Sequence, residues 1–226
     1  MDFRLSLLHI LKDKWENIET LNSAINEHPK HKESDFFCIQ IGANDGKLDD
    51  PIFKFWQKYR WRGLLVEPQK EMFERLKLNY LKCENIIFEQ CAVSHFDGNC
   101  ELFKIAKENR SDWHTGIATL TPDKGDLHFE NKVKGKNLEI EMVAVRTLKS
   151  ITTDHCIRKA HLIIIDTEGH EFEILNSVGF FDTSPDIIHY EHKHLSFVEQ
   201  DKCLKLLSAN GYKMYCGKWE TTALRR

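Results

Sequence analysis

Residues 36–46 read FFCIQIGANDG, a continuous apolar run followed by two glycines four positions apart. A strand buried on both faces of a parallel sheet has such an uninterrupted run. Glycines directly after it permit a tight turn and a close approach of the backbone to a ligand. The stretch therefore predicts the first strand and the ligand-binding turn of an α/β domain. An ordinary turn between strand and helix is the alternative, since G-x-x-x-G alone is a weak signal.

Short apolar runs alternate with helical patterns from Phe36 onward. The predicted strands are Phe36–Ile41, Gly63–Val66, Ile86–Phe88, Leu162–Ile165 and Ile187–Tyr190, and the predicted helices are Leu48–Tyr59, Glu71–Tyr80, His170–Val178 and Val198–Asn210. This order predicts a doubly wound α/β fold around a mostly parallel sheet. A chain of 226 residues is long enough for one such domain, which we place at residues 34–226.

Two segments lie outside this alternation. Residues 1–33 carry apolar side chains at spacings of three and four, which predicts an amphipathic helical cap, or alternatively a homodimer contact through this helix. Asn99–Ile105 and Leu138–Val145 predict two further strands, a hairpin inserted into the domain, and we interpret residues 105–140 as a substrate lid. Trp113 and His114 in the lid are candidate substrate contacts, and a plain surface excursion is the alternative.

Composition argues against several classes of partner. The formal net charge is −3 and the basic residues are scattered, which disfavours nucleic acid and anionic membranes. No apolar stretch is long enough for membrane insertion, and the first residues do not resemble a signal peptide. Seven cysteines without a C-x-x-C pair predict reduced thiols. We therefore expect a cytoplasmic protein with a small-molecule partner.

Polar residues follow every predicted strand, at the sheet edge where open α/β folds bind ligands. These strand ends carry Gly42–Gly46, Glu67-Pro68, Cys91-Ala92, Asp166–Gly169 and Glu191-His192. Glu67 follows the glycine turn by about 20 residues, a position from which a carboxylate can accept both hydroxyls of a ribose. A solvated turn acid is the alternative. A pyrophosphate ligand is disfavoured because Asn44 occupies the second glycine position of G-x-G-x-x-G.

These motifs resemble those of the FkbM-type S-adenosylmethionine-dependent methyltransferases. The likeness lies in residues 41–46 (IGANDG), 65–68 (LVEP), 92–94 (AVS), 145–148 (VRTL), 165–171 (IDTEGHE) and 190–192 (YEH). It implies a Rossmann-like class I methyltransferase fold. It also implies transfer of the sulfonium methyl group to a hydroxyl, often on a sugar or a polyketide-type small molecule.

The resemblance also implies roles for individual residues. Gly42, Ala43, Asn44 and Gly46 would surround the methionine part of the donor, Glu67 and Pro68 the ribose, Cys91 and Ala92 the adenine, and Asp166 would approach the donor from the neighbouring strand. Gln40 stands where the family usually has an acid, and we expect Asp45 to compensate for the missing charge.

A hydroxyl acceptor needs a base or a cation, because its pKa lies far above neutrality. The candidates at the strand ends are Asp166, Glu168, His170, Glu191 and His192. Imidazole fits the pKa requirement best, whereas Asp166 and Glu191 are candidate ligands for a divalent cation such as Mg²⁺. Carboxylates that only bind backbone, and ordinary loop histidines, are the alternatives. The rival functions are a NAD-dependent oxidoreductase and a donor-binding module without catalysis.

Overall fold

The structure is a computed structural model that describes residues 21–48, 50–106, 117–122, 138–177 and 179–225. Most of the predicted N-terminal cap, together with Trp113 and His114, lies outside these residues. The described part of the cap is helix α1, Leu21–Glu27. Leu21 and Ile25 of this helix are buried in the same apolar cluster as Trp56, so that α1 packs on the domain.

A seven-stranded sheet forms the centre of the domain. Its elements are β1 (Phe37–Ile41), α2 (Phe53–Tyr59), β2 (Arg62–Val66), α3 (Lys70–Asn79), β3 (Ile86–Glu89), β8 (Leu162–Ile165), α5 (Glu171–Leu175), β9 (Ile187–Glu191), α6 (Phe197–Ala209), β10 (Tyr212–Cys216) and β11 (Glu220–Arg225). The strand order is β10-β11-β9-β8-β1-β2-β3. Strands β9, β8, β1, β2 and β3 are parallel, and β11 is antiparallel to both β9 and β10. The predicted doubly wound, mostly parallel sheet is thereby confirmed.

Both faces of this sheet are buried, as the continuous apolar runs predicted. On one face, Ile39 and Ile163 belong to the cluster that includes Leu207 of α6. On the other face, Cys38 and Leu65 belong to the cluster that contains residues of α1, α2 and α3. The register places Ile39 between Leu64 and Ile163, so that β1 lies at the centre of the sheet and its end is surrounded by other strand ends.

A second sheet of four strands forms the inserted part of the domain. It consists of β4 (Ala92–Val93), β5 (Gly98–Ile105), β6 (Ala118–Thr119) and β7 (Leu138–Arg146) in the order β4-β7-β5-β6, and helix α4 (Leu148–Asp154) follows it. Strands β5 and β7 form the expected antiparallel pair. Its inner face carries a small apolar cluster around Leu102 and Val143. Strand β6 lies within the predicted lid.

Two helices are shorter than their apolar patterns predicted. The first begins at Phe53 rather than Leu48, because Oδ1 of Asp50 accepts the backbone amides of Ile52 and Phe53 at 2.7 Å each and holds the preceding residues in a turn. The helix predicted at His170–Val178 is limited to Glu171–Leu175.

Strands β10 and β11 were not predicted at all. Their sequences, YKMYC and ETTALR, form neither a continuous apolar run nor a regular alternation of apolar and polar residues. Among the described residues, no helix has the length and apolar character needed to cross a membrane.

Candidate active site

The turn after β1 packs directly against the end of β8. Gly42 and Ala43 both donate their amides to the carbonyl of Val66 at 3.0 Å, and Asp166 donates its amide to the carbonyl of Ile41 at 3.0 Å. Gly42 has φ +78°, and a Cβ atom at this position would lie 1.7 Å from the carbonyl oxygen of Asp166. Only glycine fits here, and its absence of a side chain lets three strand ends meet.

Glu67 is held in place through both of its carboxylate oxygens. Oε2 accepts the amide of Asn44 and Oε1 accepts the amide of Gln69, each at 2.9 Å. The residue is 3% exposed. Burial raises its pKa to about 7, although the two backbone hydrogen bonds oppose the shift. The side chain of Gln69 also hydrogen-bonds to Glu67. A carboxylate offers about four lone-pair positions, so about one remains for a ligand.

A cavity lies between these strand ends and the inner face of the second sheet. Its enclosed volume is about 150 Å³, and the space reaches about 790 Å³ when the open mouth is included. Its wall includes nine of the predicted site residues: Gly42, Asn44, Glu67, Pro68, Cys91, Ala92, Asp166, Glu168 and His170. Gln69, Leu102, Ile117, Ala118 and Leu120 also line it. The structure therefore brings most of the predicted donor contacts together.

Three predicted donor contacts lie away from this wall. Gln40 points to the face of β1 opposite Ile41 and donates its Nε2 to Oδ2 of Asp50 at 2.9 Å. Ala43 is buried in the cluster beneath the turn. A Cβ atom on Gly46 would lie 2.3 Å from Leu76, so that this glycine serves close packing against α3.

Asp45, expected to compensate for Gln40, is engaged within the turn itself. Its Oδ1 accepts the amides of Lys47 and Leu48 at 2.9 and 2.8 Å. Asp45 is also not among the residues that line the cavity. This carboxylate therefore stabilises the loop between β1 and α2.

Carboxylates collect at the opposite end of the cavity, after β8 and β9. Burial of the Asp166 carboxylate against the protein, together with the nearby charges of Glu168 and Glu191, raises its pKa. The residue is nevertheless exposed on the side of the open cavity. Burial raises the pKa of Glu168 to about 7, against the effect of His194. The Nε2 atom of His194 lies 3.1 Å from a carboxylate oxygen of Glu168 and 3.1 Å from one of Glu191.

The two histidines predicted as bases occupy different environments. His170 is 7% exposed, lines the cavity and lies with its Nε2 2.9 Å from the hydroxyl of the fully buried Ser94. His192 lies outside the cavity wall, where its Nδ1 is 3.0 Å from the hydroxyl of Thr221 and burial lowers its pKa. Of the two, only His170 reaches the cavity.

His194 was given no role of its own from the sequence, although the run of residues 189–194 that contains it is metal-like in composition. Because side chains alternate along a strand, His189 and His192 point to opposite faces of the sheet. A site shared by histidines of this run therefore requires the chain to turn after β9. The chain does turn there, since Leu195 donates its amide to the carbonyl of His192 at 3.1 Å. The turn carries His194 back to Glu191 at the end of the strand. The concentration of histidines in residues 189–194 was the sequence signal that could have assigned a role to His194.

The described part of the predicted lid contributes to the wall at this end. Ile117, Ala118 and Leu120 line the cavity. The hydroxyl of Thr119 donates to the carbonyl oxygen of Glu168 at 3.0 Å. The insertion is thus attached to the loop that carries the carboxylates.

Comparison with known families identifies this arrangement. Residues 40–214 match the Methyltransferase FkbM domain family. The chain belongs to this family. The resemblance drawn from the strand-end motifs is confirmed. No curated protein matches the FkbM chain in sequence.

Solved structures support the fold of this FkbM methyltransferase. A methyltransferase FkbM from Methylobacillus flagellatus KT superposes with a TM-score of 0.53 at 15% identity, over 85% of this chain and 44% of that one. The chain thus spans less than half of that protein's length. The Rossmann-like class I methyltransferase fold is confirmed.

Two further methyltransferases have lower TM-scores. Precorrin-6y C5,15-methyltransferase from Geobacter metallireducens GS-15 gives a TM-score of 0.48 at 12% identity, over 93% of this chain and 92% of that one. The N-terminal domain of human METTL16, solved in complex with SAH, gives 0.48 at 12% identity, over 99% and 70%.

Proposed function

We propose that this chain is an S-adenosylmethionine-dependent O-methyltransferase that acts on a hydroxyl of a small molecule or glycan, with a sugar as the favoured acceptor. The observation that carries the proposal is the arrangement of one cavity. A preorganised buried acid, Glu67, lies at one end, and Asp166 and His170 line the other. The end with Glu67 suits binding of the methyl donor, and the end with Asp166 and His170 suits removal of a proton from an acceptor.

The donor end fits the parts of S-adenosylmethionine. Glu67 keeps about one lone-pair position for a ribose hydroxyl, and Pro68, Cys91 and Ala92 offer a largely apolar slot for adenine. The Oδ1 atom of Asn44 is buried and has no hydrogen-bond partner among the described residues, so it is available to a ligand donor such as the ammonium group. When bound, S-adenosylmethionine supplies an activated sulfonium methyl group.

The acceptor end provides positioning and a proton acceptor. Alignment of a hydroxyl against the methyl group supplies much of the acceleration in an in-line displacement. Asp166 and His170 line the cavity, so we assign the hydroxyl proton to one of these two groups. The hydroxyl of Ser94 at Nε2 of His170 fixes the orientation of the ring. Trp113 and His114 stay predicted substrate contacts of the lid.

The experiment that tests the donor is calorimetric titration of S-adenosylhomocysteine, and separately of NAD, into the purified chain. We expect micromolar binding of the first and none of the second. Binding of NAD alone would replace the proposal with an oxidoreductase.

The acceptor is tested by incubating the chain with S-adenosylmethionine and a panel of sugars and other hydroxylated compounds. Mass spectrometry should detect a methyl ether. A methylated amine would contradict the O-directed assignment, and donor binding without any product would support a module that has lost catalysis.

A further inference from the structure

Three metal-ligating side chains converge from two different strand ends, and one of them, Glu168, lines the acceptor end of the cavity. Glu168 follows β8, Glu191 ends β9, and His194 returns from the turn after β9. One oxygen of each carboxylate and one ring nitrogen all lie within 4.8 Å of one another. We propose that Glu168, Glu191 and His194 bind a divalent transition-metal cation such as Mn²⁺.

The separations suit ligands of a single ion. Nε2 of His194 is 3.1 Å from Oε2 of Glu168 and 3.1 Å from Oε2 of Glu191. Two ligands at about 2.1 Å from an ion and at right angles to each other are about 3 Å apart. An octahedral ion would therefore replace the shared proton of the imidazole with only small movements of the side chains.

The charge around these ligands favours a cation. Asp166 lies close enough to Glu168 and Glu191 for their charges to interact, and Glu171 and Glu220 add further negative charge. His194 and Lys193 are the basic groups that act on Glu168. Carboxylates gathered this closely repel one another, and a divalent ion offsets that repulsion more fully than one imidazolium does.

The ligands are also held in place before any metal binds. The side chain of His194 is 8% exposed and those of Glu168 and Glu191 are 28% and 21% exposed. Thr119 binds the carbonyl of Glu168 from the insertion. Fixed ligands lose little conformational freedom on binding an ion.

The donor set selects among metals. Imidazole with carboxylates suits Mn²⁺ and Zn²⁺, whereas Mg²⁺ prefers oxygen ligands alone. The site therefore differs from the magnesium pair of Asp166 and Glu191 that the sequence suggested. Its role rests on the proposed function: an ion beside Glu168 would polarise the acceptor hydroxyl as a Lewis acid. Metal binding itself does not depend on that role.

The test is calorimetric titration of MnCl₂ into the EDTA-treated full chain, with MgCl₂ for comparison. Wild type should bind one Mn²⁺ per chain and bind Mg²⁺ more weakly. His194→Ala and Glu191→Gln should each weaken Mn²⁺ binding at least about tenfold. His95→Ala is the matched control, because His95 is an exposed histidine that also lies near a glutamate, Glu173, at 3.9 Å.

Two variants, and titration with S-adenosylhomocysteine, distinguish loss of the metal site from loss of the fold. Titration of S-adenosylhomocysteine into each variant reports whether the domain is folded, and Glu191→Gln serves if His194→Ala does not fold. No Mn²⁺ binding by wild type, or equal binding by wild type and both variants, overturns the metal site and leaves His194 as a proton bridge between two carboxylates. Metal binding without methyl transfer would instead contradict the proposed function alone.

Discussion

The backbone amide of Asn44 donates to the carboxylate of Glu67 at 2.9 Å, which joins the turn after β1 to the end of β2. The second oxygen of Glu67 binds the amide of Gln69 at the start of α3. One buried side chain therefore fixes two backbone segments of the donor end. Such a site is largely formed before the ligand arrives, which lowers the entropic cost of binding.

Replacement of Glu67 should weaken donor binding. In Glu67→Gln the charged acceptor is lost, and we expect S-adenosylhomocysteine affinity to fall by about 1–3 kcal/mol, about tenfold or more. Calorimetry measures this change. Glu74→Gln, on the exposed face of α3, is the control and should bind like wild type. Equal affinities in both variants would remove Glu67 from the ribose role.

The raised pKa of Glu67 should appear in the pH dependence of stability. Its pKa is about 7 in the folded chain against an ordinary 4.5, so between pH 4.5 and 7 the folded state retains a proton that the unfolded state has lost. The free energy of unfolding should then fall as pH rises through this window, by at most about 1.4 kcal/mol per pH unit. Urea unfolding at pH 5, 6 and 7 measures the slope.

Glu67→Gln isolates this contribution, because the other titrating groups are common to both proteins. The free energy of unfolding of the variant should decline less steeply with pH than that of wild type. Parallel pH profiles for the two proteins would show that Glu67 titrates normally.

The two glycines Gly42 and Gly211 should respond differently to alanine. Both have positive φ, +78° and +83°, but a Cβ atom on Gly42 meets the carbonyl of Asp166, whereas nothing lies within 4 Å of one on Gly211. Gly211→Ala should cost about 1–2 kcal/mol from backbone strain. Gly42→Ala should cost more than about 4 kcal/mol. Urea unfolding compares them, and similar costs would rule out the close contact as the cause.

The ion pair between Lys104 and Glu141 should stabilise the insertion. The Lys104 side chain is 9% exposed and its Nζ lies 2.6 Å from the Glu141 carboxylate. Lys104→Met should cost about 2–3 kcal/mol, below the 3–5 kcal/mol of a fully buried pair because Glu141 is 24% exposed. Lys205→Met removes a surface pair with Asp201 and should cost under about 1 kcal/mol. Equal costs in urea unfolding would contradict this assignment.

The roles of His170 and His192 can be distinguished by the rate of methyl transfer. With an acceptor in hand, His170→Ala should lower the rate of methyl transfer at least about tenfold while S-adenosylhomocysteine affinity stays within about twofold. His192→Ala should have the smaller effect on rate, because His192 binds Thr221 outside the cavity wall. A larger loss in His192→Ala would reverse the assignment.

The central strands were predictable because burial on both faces leaves a continuous apolar run, as in Leu162–Ile165. The donor acids were predictable for the same reason, since Glu67 and Asp166 directly follow such runs. Strands β10 and β11 were not, because YKMYC and ETTALR show neither a continuous apolar run nor a strict alternation.

The remaining differences at the site arise from the direction of individual side chains. The position of Gln40 in the family pattern suggested a donor contact, but its neighbour Ile41 faces the cavity, so Gln40 must face the other side of the sheet. His194 depends on a turn that no periodicity encodes. Local sequence predicts where a strand ends, whereas the tertiary structure decides where the next few residues point.

Strand β11 follows β10 in the chain but lies between β10 and β9 in the sheet. During synthesis on the ribosome, β9 therefore keeps an unpaired edge until residues 220–225 have emerged. An open strand edge is a template for aggregation, and here it adjoins Glu191 and the turn with His192, which binds Thr221 of β11. A nascent chain that stalls before Glu220 would thus carry the cavity beside an unprotected strand edge.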